Sequence, residues 1–175
     1  CVLDNATTAM TGSQPHPGTG VTLMGPKRQP ISIPRVLEAV GFDCIVHANP
    51  LDLDASVAAV REALDHEGPS AVLFESPCIQ LVKPDAPAVV DAETCTGCKK
   101  CITEIGCPGI GFDADARGPR SKQRGQAFVD PSLCNGCGLC VQVCPFDALS
   151  MTEPQTDVSR ETSSDASGSE GGCHA

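Results

Sequence analysis

An α/β layer built on a parallel sheet, followed by a small cysteine-rich α+β module, is the fold class this sequence predicts. Two features carry that expectation: helix and strand candidates alternate through residues 34–77, and eight of the twelve cysteines fall in two groups after residue 94. A length of 175 residues suits two small domains better than one large core, since 41% of residues are hydrophobic but only 3% aromatic.

Taken in order, Val2-Leu3 is a strand candidate with no obvious partner. Pro34 to Val40 is an apolar-periodic stretch, and Cys44-Ile45-Val46 reads as a strand. From Ala55 to Glu67 a helix is expected, with Val57, Val60, Ala63 and Leu64 on one face and Gly68-Pro69 as its stop. Ala71 to Phe74 is the next strand. Near-continuous apolar strands separated by helices imply a parallel sheet covered on both faces. Cys44 and Cys78, in or beside these strands, are expected to pack as small hydrophobes.

Lys83-Pro84 and Ala86-Pro87 mark a stiff extended connector. The expected organisation is therefore an α/β half-domain over residues 1–80, a linker over 81–90, a cysteine module over 91–151 and a tail over 152–175. The tail is rich in Ser, Glu, Asp and Gly and is expected to be disordered. The half-domain is too small to stand alone, so the chain is expected to be a fragment of a longer polypeptide.

Composition narrows the chemistry. A net charge of −10, from 22 acidic and 12 basic residues, argues against nucleic-acid binding, which needs clustered positive charge. No apolar run approaches the roughly 20 residues needed to cross a bilayer. With no secretion signal in view, the cysteines point to metal or redox chemistry in the cytoplasm rather than to a disulfide scaffold.

The two cysteine groups are Cys95, Cys98, Cys101 and Cys107 before Pro108, and Cys134, Cys137, Cys140 and Cys144 before Pro145. The second reads C-x2-C-x2-C-x3-C-P, the run that binds [4Fe–4S] clusters in two-cluster ferredoxins, where the fourth cysteine serves the other cluster. The first group has five residues before its last cysteine instead of three. Crossed ligation puts Cys95, Cys98, Cys101 and Cys144 on one cluster, and Cys134, Cys137, Cys140 and Cys107 on the other. Gly97, Gly136 and Gly138 suit tight loops around a cluster. A pair of zinc sites has no use for a third cysteine and a Cys-Pro in both groups. Residues 109–115 and 125–130 read as short strands, joined by a loop with Arg117, Arg120, Lys122 and Arg124. That loop either steers an acidic partner or is a solvated hairpin tip.

At the N-terminus stands Leu3-Asp4-Asn5-Ala6-Thr7-Thr8-Ala9-Met10-Thr11-Gly12-Ser13-Gln14-Pro15-His16-Pro17-Gly18. Followed by an α/β half-domain and a two-cluster module, this stretch resembles the C-terminal end of indolepyruvate ferredoxin oxidoreductase alpha subunits, within the 2-oxoacid:ferredoxin oxidoreductases. The resemblance covers about residues 1–151 and implies that the half-domain is part of a thiamine diphosphate-binding domain. Carried over by position, Asn5 through its side-chain oxygen and Thr7 through its carbonyl would ligand the Mg²⁺ of the diphosphate. Asp4 would lie at the mouth of that site, and Thr11, Gly12 and Gln14 would line the cofactor loop. His16 would face substrate and assist proton transfer, or simply stiffen the loop between two prolines. The Gly-Asp-Gly half of the thiamine pattern and a coenzyme A site are not in this chain.

What the resemblance implies is oxidative decarboxylation of an arylpyruvate to an acyl-CoA, with electrons passing through two clusters to ferredoxin. Coenzyme A would be the co-substrate, and a beta subunit of the same enzyme the partner. Another 2-oxoacid, such as pyruvate or 2-oxoglutarate, would leave these residues nearly unchanged. A ferredoxin-type carrier without catalysis leaves Asp4 to Gly18 unexplained.

Overall fold

The computed structural model describes residues 1–152, which divide into two compact units on either side of the Lys83–Pro84 bond. The tail expected after the cysteine module lies, from residue 153, outside the described residues. Thr152 still belongs to the module, because its N–H and hydroxyl both donate to the Pro87 carbonyl, at 3.2 and 2.6 Å.

The first unit holds a three-stranded parallel sheet in the order β1-β3-β2, with β1 Val2–Asp4, β2 Cys44–Ala48 and β3 Ser70–Glu75. Val2-Leu3 is thus not an unpaired strand: Val2 faces Leu73 and Asp4 faces Glu75 across the ladder. Nothing in the local sequence marks that partner, which lies some seventy residues on. The central strand has buried residues on both faces, Val72 on one and Ala71 and Leu73 on the other. Full burial of Leu73 alone is worth about 1.5–3 kcal/mol.

Helix α1, Ile33–Ala39, starts where the Ser32 hydroxyl accepts the Arg35 N–H. Helix α2, Leu53–Asp65, begins two residues before the expected position because the Asp52 carboxylate accepts the Ala55 N–H at 3.0 Å. It ends at Asp65, since His66 turns extended and meets the Asp43 carboxylate at 2.8 Å. Its buried contacts are Ala59 and Ala63 against Cys44, Val46 and Val72, with Val60 partly covered. Val57 and Leu64, expected on the same face, are exposed. The small alanines let the helix lie close to the sheet, and that close approach selects their stripe over the bulkier one.

The second unit is built from two antiparallel pairs and two short helices. Strands β4 Ala88–Val90 and β7 Leu149–Met151 form one pair; β5 Ile110–Asp113 and β6 Gln126–Val129 form the other. Helices α3 Lys100–Ile105 and α4 Leu139–Gln142 follow the two cysteine loops. Part of the expected linker is therefore strand, and Asp85 also donates its N–H to the Asn135 carbonyl. The core is light, formed by Ala88, Ile110, Ala127, Val143, Ala148 and Leu149 with the cysteines among them.

Candidate cofactor sites

The two cysteine loops are built by the same local chemistry twice. Asp91 accepts the Cys95 N–H through its carbonyl at 2.9 Å, and Asp130 accepts the Cys134 N–H at 3.0 Å. Each of these aspartates donates its own N–H, Asp91 to Ala148 and Asp130 to Gly109, both at 2.8 Å. Each carboxylate then closes the turn, taking the Glu93 N–H and Thr94 hydroxyl at Asp91, and the Ser132 N–H and hydroxyl at Asp130. These bonds to the ionised form hold both carboxyls below the usual range, the Thr94 and Ser132 hydroxyls contributing most.

Beyond each turn the chain needs left-handed backbone. Gly97 (φ +67°) and Gly136 (φ +75°) supply it, and both are also places of close approach. A Cβ on Gly97 would stand 2.3 Å from the Gly125 carbonyl oxygen, and one on Gly136 would stand 2.7 Å from the Asp85 Cβ.

The remote cysteines then cross over. Burial raises the Cys101 thiol above its ordinary pKa, and the nearby Cys98, Cys144 and Cys95 raise it further. Burial likewise pushes the Cys140 thiol up to about 11, aided by Cys137, Cys134 and Cys107. So Cys144 from the second run joins the first set, and Cys107 from the first run joins the second. Cys95, Cys98, Cys101 and Cys144 line one cavity with Thr96 and Gly97. Ala148 donates its N–H to the Cys144 sulfur at 3.3 Å.

Among the described residues no three His, Cys, Asp or Glu side chains close on a point that one ion would fill. Cys95, Cys98, Cys101 and Cys144 line one small pocket, and four convergent thiols are the donor set that an iron–sulfur cluster takes. The Thr96 hydroxyl is buried in that loop with no partner among the described residues. A cluster sulfide is an acceptor that would satisfy it, so the residues fit such a group.

In the first unit, the stretch after β1 folds into a closed loop. Asp4 Oδ1 accepts the Ala6 N–H at 3.0 Å, and Asn5 Oδ1 accepts the Thr7 N–H at 3.2 Å. The Gln14 carbonyl gathers the Thr8 N–H and the Thr7 and Thr8 hydroxyls. Thr11 donates its hydroxyl to the Gln14 side-chain oxygen at 3.4 Å, and Gly12 takes φ +98°. The structure thus brings Asn5 and Thr7 into one turn and Thr11, Gly12 and Gln14 into one loop. Asn5 Oδ1 keeps a lone pair free beside its bond to Thr7.

His16 accepts the Gly18 N–H on Nδ1 at 3.1 Å, which leaves Nε2 as its outward nitrogen. It lines a cavity of about 630 Å³ with Gln14, Thr22, Arg28, Gln29 and Ile31. A second cavity, of about 540 Å³, opens beside Asp4 and Glu75, with Ser32 and Arg35 on its wall. The pair His47 Nδ1 to Glu75 Oε2, 2.7 Å, sits at the carboxyl ends of β2 and β3. No sequence signal joins those two residues, twenty-eight positions apart. Among the described residues, no helix is long and apolar enough to cross a membrane.

Comparison with known proteins agrees with this division. The family model of the thiamine pyrophosphate enzyme C-terminal TPP-binding domain matches residues 1–74, and 4Fe-4S binding domain models match 92–113 and 127–150. The chain is 37% identical over 150 residues to the indolepyruvate oxidoreductase subunit IorA of Methanothermobacter marburgensis. It is 41% identical over 156 residues to the IorA of Pyrococcus horikoshii, and 41% over 157 to that of Thermococcus kodakarensis. Each match covers 85% of this chain but only 23% of the relative's length.

Proposed function

This chain belongs, over 85% of its length, with the IorA subunits of indolepyruvate oxidoreductases, and from that premise we propose that it serves a thiamine diphosphate-dependent 2-oxoacid:ferredoxin oxidoreductase. The substrate class is the arylpyruvates, indolepyruvate among them, with coenzyme A as acyl acceptor, ferredoxin as electron acceptor and a beta subunit as partner. Cysteines committed to iron–sulfur centres rather than disulfides suit a reducing compartment, the cytoplasm.

The crossing of the cysteine runs carries the reading. In it, Cys95, Cys98, Cys101 and Cys144 hold one [4Fe–4S] cluster, and Cys107, Cys134, Cys137 and Cys140 hold the other. Asn5 and Thr7 ligand Mg²⁺, and Asp4, Thr11, Gly12 and Gln14 shape the thiamine diphosphate loop. When bound, thiamine diphosphate supplies the electron sink for decarboxylation, and the clusters supply one-electron relays.

The chain's own residues do the positioning. Cys101 and Cys140, whose thiol pKa values burial raises, would hold iron as thiolates and so would have to release their protons to it. Gly97 and Gly136 let the backbone close around each set. His16, with Nδ1 occupied by Gly18, can exchange a proton only through Nε2. The turn at Asn5 offers two oxygens to a cation that takes phosphate and water oxygens for the rest.

Anaerobic iron and acid-labile sulfide analysis tests the centres, with about eight of each expected per chain. Turnover of indolepyruvate against pyruvate and 2-oxoglutarate by the full-length enzyme tests the substrate. Equal rates with all three would reject the aryl preference, and zinc without sulfide would reject the redox role.

A further inference from the structure

The cations of the second unit fall in two short stretches of chain, residues 99–100 and 117–124. Lys99, Lys100, Arg117, Arg120, Lys122 and Arg124 are all the lysines and arginines between Pro84 and Thr152, and every one is exposed. Residues 125–152, which supply Cys134, Cys137 and Cys140, contain none.

The β5–β6 loop that carries four of them is not a loose hairpin tip. Ser121, 1% exposed, accepts the Gly118 N–H at 3.0 Å, and the Lys122 and Arg124 N–H groups bond back to Gly118 and Ser121. Gly118 lies so close to the Ala92 carbonyl that a Cβ there would be 2.3 Å from its oxygen. At the loop's other end, Gly125 and Arg124 press on Gly97, inside the first cysteine loop. Arg120 stands over the Phe146 ring at 5.4 Å, two residues past Cys144, and Lys99 stands over Phe112 at 4.0 Å. Both anchor points belong to the set Cys95, Cys98, Cys101 and Cys144.

That set also holds the most exposed thiol, while Cys107, Cys134 and Cys137 of the other set are half-buried. Of the eight cysteines in the two sets, Cys98 alone is exposed, directly before Lys99. Lys100 is engaged by Glu104 at 3.3 Å, while the other five cations form no ion pair among the described residues. Residues 113–124 carry four cations against two carboxylates, Asp113 and Asp115, on a chain whose net charge is −10.

We propose that this anchored basic loop is the docking platform for an acidic, iron–sulfur electron-carrier protein, which makes the Cys95–Cys98–Cys101–Cys144 centre the point where electrons leave. The inference rests on the reading above that the thiol sets hold clusters and that a ferredoxin is the acceptor. In the transfer, one electron leaves the reduced centre and one enters the carrier, with no bond made and no proton moved. Fixed cations beside this centre favour the electron there over the second set, and they attract a carrier of opposite charge from solution.

The test uses the anaerobically purified full-length enzyme with its partner subunit and an acidic ferredoxin. The variant Arg120→Glu, Lys122→Glu, Arg124→Glu is compared with Arg61→Glu, Lys83→Glu, which changes charge in the first unit. Expected for the loop variant are a Kd for ferredoxin about tenfold or more weaker at low salt, a flattened salt dependence, and unchanged iron content and EPR spectrum. Reduction of a small uncharged nitroimidazole should stay at the wild-type rate. The neutral variant Arg120→Gln, Lys122→Gln, Arg124→Gln should show the same direction with a smaller effect, and it serves if charge reversal disturbs folding. Ferredoxin affinity within about twofold of wild type, in a variant that keeps its iron, overturns the docking site and leaves the proposed function standing. Wild-type enzyme that lacks iron, or that does not bind ferredoxin at all, overturns both.

Discussion

From Pro84 onward, each cysteine set gathers four thiols within one compact unit, with Cys101 and Cys140 each 7% exposed. In Cys1–Lys83 the candidate cofactor loop offers a single Asn5–Thr7 turn, whose two oxygens are the proposed cation ligands, and Met10, Leu23 and Met24 stand almost fully exposed. The difference follows from the ligands. A polynuclear cluster is held by thiolates three residues apart plus one that a short sheet can deliver, so a small unit can complete the site. A cation that bridges a diphosphate takes few protein oxygens and draws the rest from phosphate and water, so one turn is only a part of its site.

The largest expected effect breaks this comparison most directly. Cys140→Ser should lower iron from about eight to about four per chain and remove cluster–cluster broadening from the EPR spectrum of the reduced protein. Asn5→Ala should leave iron at about eight and act only on thiamine diphosphate affinity in the full-length enzyme, read by calorimetry. Loss of iron in Asn5→Ala would show that the two units are not independent in this respect.

Glycine substitutions sharpen the contrast at the next level. Gly97→Ala meets both a positive φ and a carbonyl oxygen at 2.3 Å, and should cost about 3 kcal/mol or more, seen as faster anaerobic cluster loss and a lower Tm. Gly12→Ala has a comparable φ but open space, and should cost about 1 kcal/mol. A smaller step is Gln126→Leu. Its buried side-chain amide donates to the Ala92 carbonyl at 2.6 Å, and removing it should cost about 1–3 kcal/mol in a thermal melt.

The smallest effect is a pH dependence. The folded-state pKa of Asp91 lies below its ordinary value, so the stability it contributes is present above the unfolded value of about 3.9 and is lost as pH falls through the folded one. Asp91→Asn should therefore be less stable than wild type at pH 7, with the gap closing as melts are taken toward and below pH 4. Asp130→Asn should behave alike, because Ser132 repeats the role of Thr94. A gap that widens on acidification would contradict the assignment.

Much of this was legible without coordinates wherever cause and effect are close in the chain. The strand expected at 109–115 is Ile110–Asp113, and that expected at 125–130 is Gln126–Val129, because alternating apolar residues and flanking glycines act locally. The helix expected at Ala55 to Glu67 is Leu53–Asp65, displaced by a cap at Asp52 and by the His66–Asp43 contact. Of its expected buried face, Ala63 and Val60 do pack on the sheet, but Ala59 joins them in place of Val57 and Leu64, which fit the helical period equally well. The partner of β1, the β4–β7 pair and the His47–Glu75 contact carry no local mark at all.

The sequence by itself determined the ligand types and the near spacing: thiols three residues apart, an Asp-Asn turn, glycines where the backbone must turn left-handed. These depend on bond geometry over a few residues, which no distant contact alters. The doubled Cys-Pro runs already implied that Cys144 stands beside Cys101 and Cys107 beside Cys140, whereas only the tertiary structure decided how the strands bring them there and that the basic loop is seated on the first set. Those neighbours are brought together by antiparallel pairing of β4 with β7 and of β5 with β6, and such pairing depends on which faces bury together, not on adjacency along the chain.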